Sequence, residues 1–212
     1  QLPMDTMVAG INALPSMLAD TQEAGTQAAE AIMTTDTRSK QVAVTVDIKG
    51  KKVTVGGMCK GAGMIHPNMA TMLCFITSDA NIEKSALQKM TSAIVDDSFN
   101  MISVDGDTST NDTVLVMANG MAENECIKEN TPEYDEYFKA LSYILTELSK
   151  MIAGDGEGCT CLFEVKVIEK KKITTISTKY TFSGTKENDS AITDEKISEK
   201  LINSSDNDLI LL

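Results

Sequence analysis

The sequence predicts an α/β protein in which layered sheets are flanked by helices. Three observations carry that prediction. Val42, Val44 and Val46 alternate with Ala43, Thr45 and Asp47, and Val53 and Val55 resume the alternation, the period-two signature of strands. Leu87, Met90, Ile94 and Val95, and later Tyr134, Phe138, Leu141, Leu145, Leu148 and Ile152, recur at helical spacing. Two short apolar runs of strand length, 72–76 and 114–118, stand before and between these helices.

In chain order, residues 4–34 read as helical. Asp5 is the expected N-cap, Met7, Val8 and Ile11 share one side, and Pro15 and Asp20 punctuate the pattern. The Ala-rich run from Gln22 to Met33 has good helix propensity and stops at Thr34-Thr35-Asp36-Thr37, residues that favour turns and caps. Residues 41–58 read as a β-hairpin turning at Lys49-Gly50-Lys51. A glycine-rich corner follows and runs into a strand over 71–77. An amphipathic helix is expected from Asn81 to Phe99, then a polar loop over 98–112 and a strand over 114–118. Thr131-Pro132 opens a helix with a capping hydroxyl, a proline in the first turn and acidic Glu133 and Asp135 near the positive end, and Gly154 is expected to stop it. A tight loop, Asp155-Gly156-Glu157-Gly158, precedes a strand over 159–168. Beyond Glu169 the composition changes to Lys170-Lys171-Lys172, a short β-like stretch and a Ser/Asn/Asp/Glu/Lys-rich tail compatible with partial disorder.

Composition narrows the function classes. The chain has 212 residues, 42% hydrophobic and 24% charged, ordinary values for a globular protein. A net charge of −12 without a basic patch argues against a nucleic-acid partner. No run of eighteen apolar residues and no signal peptide are evident, so neither a membrane nor secretion is expected, and a reducing cytoplasmic setting is the default. The five cysteines, Cys59, Cys74, Cys126, Cys159 and Cys161, lack paired CxxC spacing, and His66 is the single histidine, so no metal site is expected.

The chemistry concentrates at one corner, Lys60-Gly61-Ala62-Gly63-Met64-Ile65-His66-Pro67-Asn68-Met69-Ala70-Thr71-Met72-Leu73. A threonine hydroxyl is a weak nucleophile without an adjacent base, and no Ser-His-Asp set is evident. Cleaving the peptide bond before Thr71 would free an α-amine with a pKa of about 8, able to take the hydroxyl proton at neutral pH. The small Ala70 and the Gly/Pro/Asn run suit such a cut. On these residues alone, a capping threonine at the start of a strand is the simpler alternative. His66 precedes a turn proline and is expected to shape the loop rather than shuttle protons. Asp105, Asp107 and Ser109 mimic the start of a calcium loop, but Thr110 and Val116 occupy the places of its glycine and final glutamate. Gly61-x-Gly63 lacks the third glycine and the Lys-Ser/Thr of nucleotide-binding loops.

The corner resembles, almost residue for residue, the self-cleavage segment of the glutamate N-acetyltransferase (ornithine acetyltransferase) family. Residues 103–113, Ser103-Val104-Asp105-Gly106-Asp107-Thr108-Ser109-Thr110-Asn111-Asp112-Thr113, resemble the family's second signature, and Thr34-Thr35-Asp36-Thr37 and Asp155-Gly156-Glu157-Gly158 match two more blocks in the family's order. The resemblance implies a layered α-β-β-α sandwich, here incomplete at the N-terminus. It also implies three segments: 1–70 as the end of an α chain before the cleavage site, 71–169 as the core of a β chain opening on the nucleophile, and 170–212 as a divergent tail. Cleavage would fall between Ala70 and Thr71. Thr71 would then carry an acetyl group from N-acetylornithine to glutamate, a step of arginine biosynthesis. Acetyl-CoA serves as a donor in some members, and no cofactor is required. Thr34, Lys60, Thr71 and Glu157 occupy substrate-binding positions. Lys60 suits a substrate carboxylate, Glu157 a side-chain ammonium and Thr34 a polar group. The family further implies αβ heterodimers assembling into a heterotetramer.

Three departures temper that reading. The chain starts downstream of the Thr-Gly pair that builds the family's oxyanion hole, Cys161 stands where a lysine is usual, and residues from about 170 onward do not resemble the family. The alternatives are a catalytically incompetent fragment and a related self-processing amidohydrolase or aminopeptidase.

Overall fold

A computed structural model describes residues 2–63, 65, 72–104, 111–169, 178–184 and 207–211. Ala70 and Thr71, His66, and Asp105 through Thr110 lie outside the described residues. The described chain is a mixed α/β structure with two four-stranded sheets.

The N-terminal region forms two helices, α1 (Met4–Met17) and α2 (Gln22–Ala31). The cap of α1 is Pro3, without a side-chain bond, and Asp5 lies inside the first turn. The expectation of an Asp5 cap is therefore corrected, although a carboxylate there still complements the helix dipole. Met7, Val8 and Ile11 do share a side, but all three are exposed and α1 buries no residue. The cap of α2 is Thr21, whose hydroxyl accepts from the Ala24 N–H at 3.2 Å.

The hairpin forms as expected, β1 (Lys40–Ile48) pairing antiparallel with β2 (Lys51–Lys60). Lys49 and Gly50 make its two-residue turn with φ of 52° and 80°, the doubly left-handed arrangement that matches strand twist. The Asp47 carboxylate accepts the Gly50 N–H at 2.7 Å. β3 (Leu73–Ser78) adds antiparallel to β2, and β5 (Thr113–Ala118) adds parallel to β3, giving the order β1-β2-β3-β5. Between them run α3 (Lys84–Asp96), a 3₁₀ turn (Phe99–Met101) and the short β4 (Ile102–Ser103). α3 starts three residues later than its periodicity predicts because Asn81 is engaged elsewhere: its N–H donates to Asn124 Oδ1 at 2.9 Å. The second sheet has the order β4-β7-β6-β8 and contains β6 (Cys161–Glu169), β7 (Thr178–Gly184) and β8 (Asn207–Leu211). Because β6 begins at Cys161, Cys159 falls in the preceding loop, half-buried, rather than in the strand expected over 159–168.

The long helix α4 (Pro132–Ala153) supplies the core. The Thr131 hydroxyl accepts the Tyr134 N–H, Pro132 opens the helix, and Leu141, Ile144, Leu145, Leu148 and Ile152 are fully buried against Val53, Val55, Cys59 and Ile76. Gly154 closes α4 as expected, in right-handed conformation, φ −76°, rather than the left-handed one common for glycine at such ends. Space supplies a reason for it instead: a Cβ would meet the Arg38 guanidinium and the Lys150 carbonyl at 3.2 Å each. Cys59 and Cys74 face each other across β2 and β3, both fully buried. Burial pushes the Cys74 thiol up to about 12 and raises Cys59 well above its ordinary value, with Cys74 adding to the latter. Both are therefore neutral apolar filler at pH 7.

Gly57 lies on the face under α4. A Cβ there would come within 2.3 Å of Ile76 Cδ1 and 3.0 Å of Leu148 Cδ1. The neighbouring Gly56 has nothing closer than the Ala43 Cβ at 3.6 Å. Gly57→Ala is expected to lower the unfolding free energy by about 1–3 kcal/mol through overpacking, while Gly56→Ala leaves the urea midpoint unchanged or raised. Equal effects of the two substitutions in urea denaturation would contradict this packing.

The opposite face of the first sheet has α2 above one end and a cavity of about 830 Å³ beneath it, lined by Gly25, Ala43, Gly56, Met58, Phe75 and Met117 among others. Among the described residues, no helix is long and apolar enough to cross a membrane.

Candidate functional site

Four backbone segments meet where β1 begins, β2 ends and α4 stops. Each contributes one block of the motif residues. The first is the turn after α2, where Asp36 folds back so that its Oδ2 accepts the Thr34 N–H at 3.1 Å. The second is the start of β1, where Lys40 shares the core-facing side with Val42, Val44 and Val46. The third is the end of β2, Lys60-Gly61. The fourth is the loop that follows α4, Asp155-Gly156-Glu157-Gly158.

A buried ion triad joins them. Lys40 Nζ lies 2.6 Å from Asp36 Oδ1 and 2.5 Å from Asp155 Oδ2, and the Lys40 side chain has no exposure at all. Asp36 Oδ1 also accepts the Gly61 N–H at 2.7 Å. Asp155 accepts the Thr37 N–H at 3.0 Å, and its other oxygen accepts the Thr37 hydroxyl. The Arg38 guanidinium reaches the Gly154 carbonyl at 3.2 Å. Every charged group in the triad is thus paired, and the net negative charge of two carboxylates on one ammonium is met by the Thr34, Thr37 and Gly61 N–H donors and the Thr37 hydroxyl, the condition under which ionic groups can be buried.

The electrostatics follow from these bonds. Burial alone would raise the Asp36 carboxyl, but the Gly61 N–H, the Lys40 ammonium and the Thr34 N–H outweigh it and hold Asp36 at about 2. Asp155 is likewise lowered: burial opposes, and Lys40 and Thr37 prevail. A carboxylate whose folded pKa is depressed stabilises the fold above its unfolded pKa and loses that contribution as pH falls through the folded value. Asp36 alone is expected to cost about 2 kcal/mol between pH 5 and pH 2. The urea midpoint should therefore be flat from pH 7 to 5 and fall steeply below pH 4. A midpoint unchanged at pH 3 would show that the triad is not ionised as described.

Around this anchor stand the residues singled out from the sequence. Lys60 ends β2 with only 8% exposure, and among the described residues no carboxylate lies within ion-pair distance of its ammonium. It is a buried strand lysine, not a solvated loop lysine, and such a cation favours an anion beside it. Glu157 is exposed and its N–H donates to the Ala62 carbonyl at 2.6 Å, so its loop is tied to the residue two beyond Lys60. Its carboxylate lies over Gly63, where a Cβ would come within 2.9 Å of Oε1. Thr34 is exposed on the turn braced by Asp36. The structure thus brings Thr34, Lys60 and Glu157 to one corner.

Ala70 and Thr71 lie outside the described residues, but the peptide that follows them is held firmly. The Met72 N–H donates to Asp112 Oδ1 at 2.7 Å, and the Met72 carbonyl accepts the Thr113 N–H at 2.9 Å. On the other side of the corner, the Ile65 carbonyl accepts the Val104 N–H at 2.7 Å. Residues of the second signature block therefore brace both ends of the 66–71 segment.

Asp36, Lys40, Asp155 and Asp112 carry this architecture and were given no role from the sequence. The first pair has the i, i+4 acid–base spacing that could have drawn attention. The joining of Asp36 to Asp155 has no local signal.

Comparison with known proteins shows what the chain is similar to. A family model described as the ArgJ family matches residues 1–178. The arginine biosynthesis bifunctional protein ArgJ of Caldanaerobacter subterraneus subsp. tengcongensis is 53% identical over 170 residues, 80% of this chain and 42% of that protein. The protein of the same name from Bacillus subtilis is 54% identical over 166 residues, 78% of this chain and 40% of that one. The crystal structure of the Bacillus halodurans protein aligns over 43% of each chain with 52% identity and a TM-score of 0.43. The chain spans about two fifths of the length of these curated relatives. With a family model covering most of its residues and relatives at this identity, the chain belongs to the ArgJ family.

Proposed function

We propose that this chain carries the nucleophile and one wall of the substrate site of an ornithine acetyltransferase, moving an acetyl group from N-acetylornithine to glutamate in arginine biosynthesis. The observation that carries the reading is the convergence of Thr34, Lys60 and Glu157 at the corner that leads into Thr71. The names of the relatives support it. In this reading the Thr71 hydroxyl first attacks the Ala70 carbonyl, shifting the acyl group from nitrogen to oxygen, and water hydrolyses the ester. The products are an Ala70 carboxylate and a free Thr71 α-amine. That amine then accepts the hydroxyl proton as Thr71 Oγ attacks the acetyl carbonyl, and it returns the proton to the departing ornithine nitrogen. Glutamate's amine attacks the acetyl-threonine ester and releases the hydroxyl. Lys60 holds a substrate carboxylate and Glu157 the side-chain ammonium, a pairing that selects an amino acid with a cationic side chain. Acetyl-CoA is a second candidate donor. The open face of the first sheet is read as an inner layer of an α-β-β-α sandwich, and cleaved αβ units as the assembling species, in the cytoplasm.

Mass spectrometry tests the reading on the 212-residue chain. Cleavage between Ala70 and Thr71, followed by an acetyl adduct on the Thr71 fragment after incubation with N-acetylornithine, is expected. An intact chain that never acquires acetyl would sink the proposal in favour of a catalytically incompetent fragment. Steady acetate release without glutamate, at the rate of transfer, would favour a hydrolase.

A further inference from the structure

We infer that the Asp36–Lys40–Asp155 triad is the positioning element of this corner, setting the separation between the Lys60 ammonium and the Glu157 carboxylate and so the preference for a cationic side chain. The inference rests on the acetyl-transfer reading for its substrate and on the described geometry for everything else.

Glu157 and Lys60 belong to elements 97 residues apart in sequence, and neither bonds to the other. Among the described residues, two links join their loops. One is the Glu157 N–H to the Ala62 carbonyl. The other is the triad, which runs from the Gly61 N–H through Asp36 and Lys40 to Asp155, two residues before Glu157. The same carboxylates hold the Thr34 and Thr37 amides, so the third substrate-facing residue is tied to the same node. An apolar group in place of Lys40 could pack in the same space. Buried ion pairs often contribute no more stability than an apolar replacement, but they are directional and fix one register. A site that must keep a cation and a carboxylate at a set spacing needs that directionality. Lys40, Asp36 and Asp155 are positioning residues here; none is required to touch substrate.

The test compares Asp155→Asn with the wild-type chain on two donors, N-acetylornithine and N-acetylnorvaline, which lacks the terminal ammonium. Asp155→Asn keeps the size and one acceptor oxygen but removes the charge facing Lys40. The expected result is a rise of about tenfold in KM for N-acetylornithine, little change in kcat, and a preference between the two donors that collapses by a similar factor. A general loss of stability would not move that ratio. Thr37→Val, which removes one hydroxyl bond to Asp155, guards against an unfolded variant and is expected to shift the ratio in the same direction by about threefold. Unchanged KM and unchanged donor preference in a folded variant would overturn the inference. If the wild-type chain transfers no acetyl group, the acetyl-transfer reading fails by itself. The positioning claim is then read from hydrogen exchange, where the Thr37 and Glu157 amides should lose protection together in Asp155→Asn while core amides of β2 such as Val55 keep theirs. Unaltered protection at Glu157 would overturn it.

Discussion

Lys40→Met is expected to destabilise the chain by about 3–5 kcal/mol at neutral pH, a large share of the ~5–15 kcal/mol that holds a domain folded. The reason is asymmetry. Removing the cation leaves Asp36 and Asp155, both buried, facing each other without a counter-ion. Their N–H partners from Gly61, Thr34 and Thr37 soften the loss but do not neutralise two charges. The pH dependence should reverse sign as well. In the wild type the two carboxyls are depressed, so stability falls as pH drops below 4. In Lys40→Met, burial and like-charge repulsion raise the folded pKa values, so the native state binds more protons than the unfolded chain and stability rises as pH falls from 7 toward 4. Urea midpoints at pH 7, 5.5 and 4 measure this directly. Lys139→Met, which removes an exposed lysine paired with Glu136, serves as control and should leave the midpoint in place. Parallel pH profiles for wild type and Lys40→Met would show that the triad does not hold the charges assigned to it.

The reach of sequence reasoning in this chain has a physical boundary, and Lys40 stands on it. The elements were readable where a local pattern was strong. Thr131-Pro132 with a six-residue apolar stripe announces α4, and alternating valines either side of Lys49-Gly50 announce the hairpin. The Asp5 cap was misplaced by two positions because several residues near a helix start can complement its dipole, and only backbone angles decide which one is the cap. Lys60 was named from the sequence as a partner for a substrate carboxylate, but its burial at the end of β2 had no local signal. Lys40 read as nothing, because a lysine ahead of a strand is ordinarily exposed. Its role depends on Asp155, 115 residues away, and no periodicity reports such a pairing. A candidate site could be named because its residues sit in blocks that resemble a known family. The anchor beneath it was legible only in three dimensions, although two of its three members lie inside those same blocks.

Thr71→Ala is expected to leave the chain as a single 22.8 kDa species and to remove acetyl transfer by a factor on the order of 10⁶, the scale seen when a hydroxyl nucleophile is deleted. Both losses follow from one group. In the proposed reaction the Thr71 hydroxyl attacks the Ala70 carbonyl before it attacks any substrate, and the α-amine that later serves as base does not exist until that first attack succeeds. Thr71→Ser retains the hydroxyl and should still cleave, more slowly, because the β-methyl that restricts χ1 is gone. A third variant separates the nucleophile from its support. The peptide after Thr71 is clamped by Asp112 through the Met72 N–H and by Thr113 through the Met72 carbonyl. Self-cleavage requires the hydroxyl to be held against the preceding carbonyl, and a misplaced backbone costs orders of magnitude in such intramolecular steps. Asp112→Ala should therefore slow cleavage by roughly 10²-fold without abolishing it, and the Thr71 fragment that does form should still become acetylated. Gel densitometry over time gives the cleavage rate, and mass spectrometry of the fragment gives the acetyl stoichiometry. Cleavage that persists in Thr71→Ala would remove the nucleophile from this position. Wild-type cleavage kinetics in Asp112→Ala would show that the clamp seen at Met72 has no part in presenting it.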